Sequence, residues 1–364
     1  MVPPPGDANR LPPNVIPFPV SAIHRVHPPT PRRRLPPPPV RVVLVALLGA
    51  LLGVAVSWLA ATWYEMHRVS HRIGRIPGAF SQPEAERPSR PASAAGSVNV
   101  LIAGLDGERK TGLVLGSRTD AIIVLHLDAD RTRVWLTSIP RDSWVTLPGF
   151  GENKLNAAYP IGGPSLLVRT VEQLTGIRMD HLVVIDWTGF RRLTDGVGGV
   201  AVSLGARTRS LPDSTPARVA YHMSGPVALD YVRDGATPAA GDLDRIHRQQ
   251  HYLRALIGQV LERRLLTDPS ALRALAAGIG DAVRVDSGLT ASQMLSLAAS
   301  VQRLTVDDVG FLTAPVTGVA QEGEASVARY DHRLGDRLWR AMASDSMPAF
   351  VAEHPELVTA AHVR

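Results

Sequence analysis

Residues 98–106 read VNVLIAGLD. A run of Val, Leu and Ile carrying one Asn and one Gly, closed by Asp106 and Gly107, predicts a strand buried on both faces rather than a half-buried, alternating one. Residues 121–127 (AIIVLHL) and 134–139 (VWLTSI) repeat the pattern and predict a second and a third strand. Further along, the period changes. Residues 165–175 have helical spacing, 181–187 and 197–204 read as strands, and 242–266, 271–283 and 291–304 read as helices. A strand at 309–313 and a helix at 331–342 follow. Short apolar strands interleaved with helices predict an α/β domain over residues 98–343, its sheet covered by helices on both faces. Residues 344–364 read as a C-terminal tail.

Upstream the composition is different in kind. Residues 1–41 hold 14 of the 30 prolines, too many for a packed core or a continuous helix, and read as a disordered Pro/Arg-rich arm. Residues 42–61, VVLVALLGALLGVAVSWLAA, carry no charge and one serine, which matches the ~20 residues a helix needs to cross a bilayer. With Trp58 and Trp63 near one end they predict a transmembrane helix over 42–63. The run exceeds the apolar ~7–15 residues of a cleaved signal peptide. The Arg-rich arm belongs on the cytoplasmic side by the positive-inside rule, which predicts a single-pass cell-membrane protein with its C-terminal domain outside the cytoplasm. Arg68, Arg72 and Arg75 pull the other way. Residues 64–97, ending in SQPEAERPSRPASAAGS, read as a juxtamembrane stalk and linker.

The chain has 364 residues, of which 45% are hydrophobic, ample for a core. Its formal net charge of +6 is concentrated in the arm, where six Arg oppose Asp7. The remainder is nearly neutral and offers no basic face for a nucleic acid, so a nucleic-acid partner is not expected. The absence of cysteine excludes disulfides, thiolate metal sites and cysteine nucleophiles.

Candidate chemistry gathers in five places. Asp106 follows the first strand and Asp120 precedes the second, in SRTD; acids at strand ends of an α/β sheet are candidate ligands for a hard divalent ion. Arg141 and Asp142 follow the third strand in SIPRD, and Lys154 follows Asn153 in NKLNAAY. Arg233 closes LDYVR. In GDLDRIHRQQ at 241–250, Asp242, Arg245 and Gln249 lie at i, i+3 and i+7 on one helix face, Arg248 beside them, and Asp242 sits where a cap or first-turn acid belongs. Taken singly, each has a structural reading: turn Asp residues, a solvated helix face, an Arg balanced by its Asp neighbour.

Together, the order and wording of these motifs resemble the LytR-CpsA-Psr (LCP) family of cell-wall glycopolymer transferases. The resemblance runs through the strand entering Asp106, SRTD, SIPRD, NKLNAAYPIGG, DWTGFRRLTDGVGGVAV at 186–202, ALDYVRD at 228–234 and GDLDRIHRQQ, so it spans roughly 98–260. It implies an LCP-like domain with a central mixed β-sheet and helices on both faces, preceded by one transmembrane helix. It implies an enzyme that moves a glycopolymer from a polyprenyl pyrophosphate carrier to peptidoglycan through a phosphodiester, with Mg2+ or another divalent cation. By position Asp106 and Asp120 correspond to the metal-linked acids. Arg118, Arg141, Lys154, Arg233, Arg245, Arg248 and Gln249 correspond to pyrophosphate-binding groups, with Asp106, Arg141 and Arg245 as the catalytic set and Asp106 the candidate to take the acceptor's proton. Such a site also admits pyrophosphate hydrolysis as a side activity. Fixed guanidinium forks and a cation are what a pyrophosphate needs, because each fork holds two oxygens and the ion offsets charge on the leaving phosphate. Apolar segments at 164–204 and 250–304 would, on the same likeness, line a pocket for the lipid tail.

Three departures stand out. The family's YVRxR is YVRDG here, with Gly235 for the second Arg and Asp234 beside the first. Asp244 stands where Gly is common, and GLDGERK replaces a GSDSR-like string, leaving Arg109 as the substitute for its Arg. Two other functions therefore stand beside transfer: a membrane-anchored binder of polyprenyl pyrophosphate or wall polymer without turnover and, more weakly, a transcriptional attenuator.

Overall fold

In the computed structural model the described residues are 64, 73–107, 117–205, 218–234, 241–262 and 283–359. The expected transmembrane segment, Gly235 and Arg109 lie outside them. No helix among the described residues is long and apolar enough to cross a membrane.

The chain forms β1 (Gly74–Ile76), β2 (Val98–Leu105), β3 (Thr119–Leu127), β4 (Val134–Ser138), β5 (Trp144–Leu147) and β6 (Gly151–Lys154), then helix α1 (Ala158–Thr175). Next come β7 (His181–Ile185), α2 (Trp187–Gly196), β8 (Val200–Gly205), β9 (Arg218–Met223), α3 (Gly225–Arg233) and α4 (Gly241–Glu262). The C-terminal part adds β10 (Val283–Asp286), α5 (Ala291–Ser300), β11 (Val309–Thr313), β12 (Val316–Glu322), β13 (Ala325–Tyr330), α6 (His332–Ala343) and α7 (Met347–Glu353). Seven strands form one mixed sheet in the order β1-β10-β7-β2-β3-β4-β11. The β1/β10, β7/β2 and β4/β11 pairs are parallel and the others antiparallel.

The apolar run at 98–105 has the expected cause. Leu101, Ala103 and Leu105 face one core with Ile122, Val124, the α1 residues Leu167, Val168 and Val171, and Trp339 of α6. Ile102 faces the other side with Ile123, Leu136, Phe311 and the α4 residues Leu253 and Ile257. Helices thus cover both faces, and a strand with two apolar sides loses its alternation. Helix α1 begins earlier than the periodicity predicts, because a turn at 158–161 is joined to it across Gly162 and Gly163. Gly163, at φ 67°, adopts a left-handed conformation that costs a side chain dearly, and Pro164 then starts the regular helix. The expected 271–283 helix lies outside the described residues except for Val283, which opens β10.

Two boundaries read from sequence need correction. The 64–97 stalk does not end where the domain begins, for β1 pairs with β10 inside the sheet, and Ile76 and Ala79 are buried in the main core. The Pro-rich stretch after it is fastened by two ion pairs, Arg87 to Glu172 at 2.6 Å and Arg90 to Asp180 at 2.5 Å. Nor are residues 344–359 a tail. Met347 and Phe350 of α7 enter the core, Asp345 bonds to His126 at 2.8 Å, and Thr359 bonds to the buried Gln250. Burying two large apolar side chains is worth roughly 1.5–3 kcal/mol each, which holds a short helix that its own propensity would not.

Candidate functional site

The strand directions bring the motif residues to one end of the sheet. β2 runs toward Asp106, its antiparallel neighbour β3 starts there with Asp120, and β4 leaves there for Arg141. A register shift at Gly104/Leu105 brings Asp106 beside Arg118, whose carbonyl accepts from the Asp106 amide at 2.9 Å. The parallel strand β7 ends there too, and Asp186 caps α2 by accepting from Gly189 N at 2.7 Å. Helix α4 enters from the second face of the sheet with Asp242 in its first turn.

A chain of ion pairs links these pieces. Arg141 pairs through Nη1 with Asp120, and its Nε donates to Asp242 Oδ1 at 3.2 Å. Asp242 Oδ1 also accepts from Arg245 Nη2, one helical turn on. One carboxylate therefore orients two guanidinium groups. Burial raises the Asp242 carboxyl above its ordinary value, against the pull of Arg245 and Arg141. Asp106 is also raised, first by burial and then by the charge of Asp120, while the Arg118 amide and the Arg118 and Arg141 charges oppose this.

Next to Asp120 and Arg245 opens an apolar pocket. Ile102, Gly104 and Ile123 form its floor, Trp187 and Phe190 of α2 and Leu229 and Val232 of α3 its side, and Tyr252 and Leu253 of α4 its far wall; Asp120, Arg233, Arg245 and Gln249 line it as well. The Arg233 guanidinium lies over the Trp187 ring, 3.9 Å from its centroid, a cation–π contact that orients it. Tyr252 bonds to Thr194 Oγ1 at 2.6 Å, and burial pushes its hydroxyl up to about 12. The Nε of Arg245 is buried and has no hydrogen-bond partner among the described residues. An unsatisfied buried donor costs about 1–3 kcal/mol.

Of the residues expected from sequence, Asp120, Arg233, Arg245 and Gln249 meet at the pocket, Arg141 joins them through Asp120 and Asp242, and Asp106 and the exposed Arg118 stand beside Asp120. Two do not fit the expectation. Arg248 is 6% exposed and pairs with Asp234 at 2.7 Å, against the Tyr231 ring, so a phosphate contact from it is corrected to a link between α3 and α4. Its guanidinium is taken instead by Asp234, at the end of α3. Lys154 meets Asp142 at 3.1 Å and does not line the pocket. Sequence reasoning took Asp242 for a helix-start acid and missed its bridging role. It also took Trp187 for a strand end, although an Asp before WTGFRRL is a helix-start signal.

Asp106 and Asp120 are hard oxygen donors close enough to repel each other, the donor set for a divalent cation. Among the described residues no three His, Asp or Glu gather into a metal cluster. Mg2+ is commonly held by one or two carboxylates with substrate phosphates completing its shell, so the pair fits that ion.

A model of the LytR_cpsA_psr family matches residues 71–344. The chain is similar to the probable cell wall biosynthesis protein LcpB of Corynebacterium glutamicum, 30% identical over 307 residues that make 81% of this chain and 71% of that protein. It is also similar to the cell wall biosynthesis protein LcpA of the same organism, 33% identical over 233 residues, 57% of this chain and 44% of that one; the match thus spans less than half of LcpA. Among solved structures, TagT bound to LI-WTA shares the fold with a TM-score of 0.57 and 21% identity, over 74% of this chain and 98% of that one.

Proposed function

Because the chain belongs to the LytR-CpsA-Psr family, we propose that it is a phosphotransferase that moves a glycopolymer from a polyprenyl pyrophosphate carrier onto peptidoglycan. The observation that carries this reading is the gathering of Arg233, Arg245 and Gln249 beside Asp120 in the wall of one apolar pocket, with Arg141 tied to Asp120 and Asp242. A lipid pyrophosphate unites the two chemistries: an isoprenoid chain for the apolar wall and phosphate oxygens for the guanidinium groups at its mouth.

In the proposed reaction an acceptor hydroxyl of the glycan attacks the phosphorus bonded to the glycopolymer. The new O–P bond replaces the bridging P–O bond, polyprenyl phosphate leaves, and the product is a phosphodiester. Arg141, Arg233 and Arg245 hold the phosphate oxygens, Gln249 adds an amide donor, and Arg118 stands at the exposed rim. Asp106 takes the acceptor's proton. A magnesium ion held by Asp106 and Asp120 would supply charge neutralisation on the phosphate oxygens as the leaving group departs. Phosphoryl transfer asks for positioning and charge stabilisation, and Asp242 contributes the first by fixing two guanidinium groups. The uncharged run at 42–61 anchors the chain beside its lipid substrate, with the catalytic domain outside the cytoplasm.

The test is product analysis with the full chain in detergent, a polyprenyl pyrophosphate-linked oligosaccharide and peptidoglycan. Transfer predicts label joined to peptidoglycan through an acid-labile phosphodiester, with polyprenyl monophosphate released. Binding of the lipid without any product, under conditions where an established glycopolymer transferase turns over, would select the binder reading instead.

A further inference from the structure

Arg141 stands between two surfaces of different chemistry. On one side is the apolar pocket, none of whose lining residues comes from β5 or β6. On the other, the very next residue, Asp142, pairs with Lys154 at 3.1 Å, and Lys154 is the last residue of β6. The β5/β6 register sets Trp144 opposite Lys154 and Thr146 opposite Glu152. These four share one face, because Val145 and Leu147, 5% and 0% exposed, point into the core from the other. Trp144 Nε1 donates to Glu152 Oε2 at 3.3 Å, a diagonal contact across the outer face. Thr146 and Glu152 are exposed, Trp144 and Lys154 half-buried, and the turn that joins the strands carries Phe150 at 59% exposure.

We propose that the outer face of the β5–β6 hairpin seats the acceptor, a glycan strand of N-acetylated hexosamines. The inference rests on the transferase reading and adds the place of the second substrate. In-line displacement requires the nucleophile to approach the phosphorus from the side away from the leaving group. If the lipid phosphate leaves toward the apolar pocket, the acceptor enters from a surface the pocket does not use, and the hairpin begins at Trp144, three residues from Arg141. Its chemistry suits a sugar chain. An indole offers an apolar face to pyranose C–H groups, the Glu152 carboxylate and Thr146 hydroxyl accept from sugar hydroxyls, and the Lys154 ammonium meets a lactyl carboxylate. The face carries Glu152, and Lys154 is balanced by Asp142, so it has no net positive charge, which suits a largely neutral sugar chain and not a polyphosphate.

The experiment uses the full chain in detergent and a peptide-free oligosaccharide of alternating N-acetylglucosamine and N-acetylmuramic acid, followed by saturation-transfer NMR and calorimetry. Polyprenyl pyrophosphate binding is measured in parallel. Thr146→Arg, at an exposed strand position, blocks the face without disturbing the core; Trp144→Ala removes the platform, and Trp144→Phe restores an aromatic ring. The expected result is oligosaccharide affinity reduced by at least about tenfold in the first two variants and largely restored in the third, with pyrophosphate-lipid affinity unchanged. Equal oligosaccharide binding by wild type, Thr146→Arg and Trp144→Ala would overturn the proposal, as would a wild-type chain that binds the lipid but no oligosaccharide. Lipid binding that fails in the wild type, while the oligosaccharide still binds and Thr146→Arg still abolishes it, would strike the transferase reading and leave the hairpin as a glycan site.

Discussion

Asp242 accepts a hydrogen bond from Arg141 Nε at 3.2 Å and, on the same oxygen, one from Arg245. The first turn of α4 is thereby tied to the segment leaving β4, and two cations that would repel each other share one anion. Such a bridge sets where the guanidinium forks point before any substrate arrives.

Asp242→Asn keeps the shape and removes the charge. Loss of a charge-assisted hydrogen bond costs about 1.5–3 kcal/mol, so pyrophosphate-lipid affinity should fall by roughly 10- to 100-fold. Calorimetric titration against wild type checks this; unchanged affinity would mean that Asp242 does not position the arginines.

Asp106 gives a pH prediction. Its carboxyl is raised from the ordinary value of 3.8, chiefly by burial and then by Asp120. A group whose folded value is raised contributes stability that is fully present below 3.8 and lost as pH rises through the folded value. At neutral pH the ionised acid is therefore a strain on the fold. Asp106→Asn should raise the melting temperature by about 1–3 °C at pH 7 in EDTA, with the gap closing as pH falls toward 4. Magnesium should raise the melting point of wild type and not of the variant. A variant that melts lower at pH 7 and still responds to the ion would contradict the assignment.

Ala121 lines the apolar pocket next to Asp120. Ala121→Phe should fill that space and weaken long-chain polyprenyl pyrophosphates by about tenfold or more, while inorganic pyrophosphate binds as before. Equal losses for both ligands would show that the lipid chain lies elsewhere.

Phe350 is 6% exposed and packs in the main core with Met347. Phe350→Ala should cost about 3–5 kcal/mol in denaturant unfolding, and ending the chain at residue 343 should abolish the folded state. A truncated chain with the full-length unfolding midpoint would restore the reading of these residues as a tail.

The legible parts of the chain were those with a period. Residues 98–105, 121–127 and 309–313 announced strands because the sheet is covered on both sides, and 242–266, described as a helix over Gly241–Glu262, announced one because its apolar and polar faces differ. The missed parts lack one. β1 is three residues, GRI, too short to show a period, and joins the sheet by pairing with β10 and burying Ile76. The stretch at 81–97 looks like a linker by composition, yet Arg87 and Arg90 fix it to Glu172 and Asp180, some ninety residues on. In the site, spacing placed Asp242, Arg245 and Gln249 on one face. It had no means of showing that Arg248 would be claimed by Asp234, or that Arg233 would lie on Trp187, 46 residues earlier.

The Asp234 and Arg248 pair joins α3 to α4 next to two pocket residues, Arg233 and Gln249. Asp234 is half-exposed, so its removal should cost at most about 1 kcal/mol. Arg248→Ala also strips packing from Tyr231 and should cost more, near 2–3 kcal/mol. A double-mutant cycle in urea measures the coupling; a coupling energy of zero would reduce the pair to a surface contact.

In the proposed transfer the guanidinium groups at the apolar pocket hold a lipid pyrophosphate. The most direct measurement is calorimetric titration of a short-chain polyprenyl pyrophosphate into the full chain, with and without magnesium, beside Arg245→Ala and Arg233→Ala. The account predicts binding that tightens with the ion and weakens by about tenfold or more in each variant. Affinity that is indifferent to both the ion and the two arginines would contradict it.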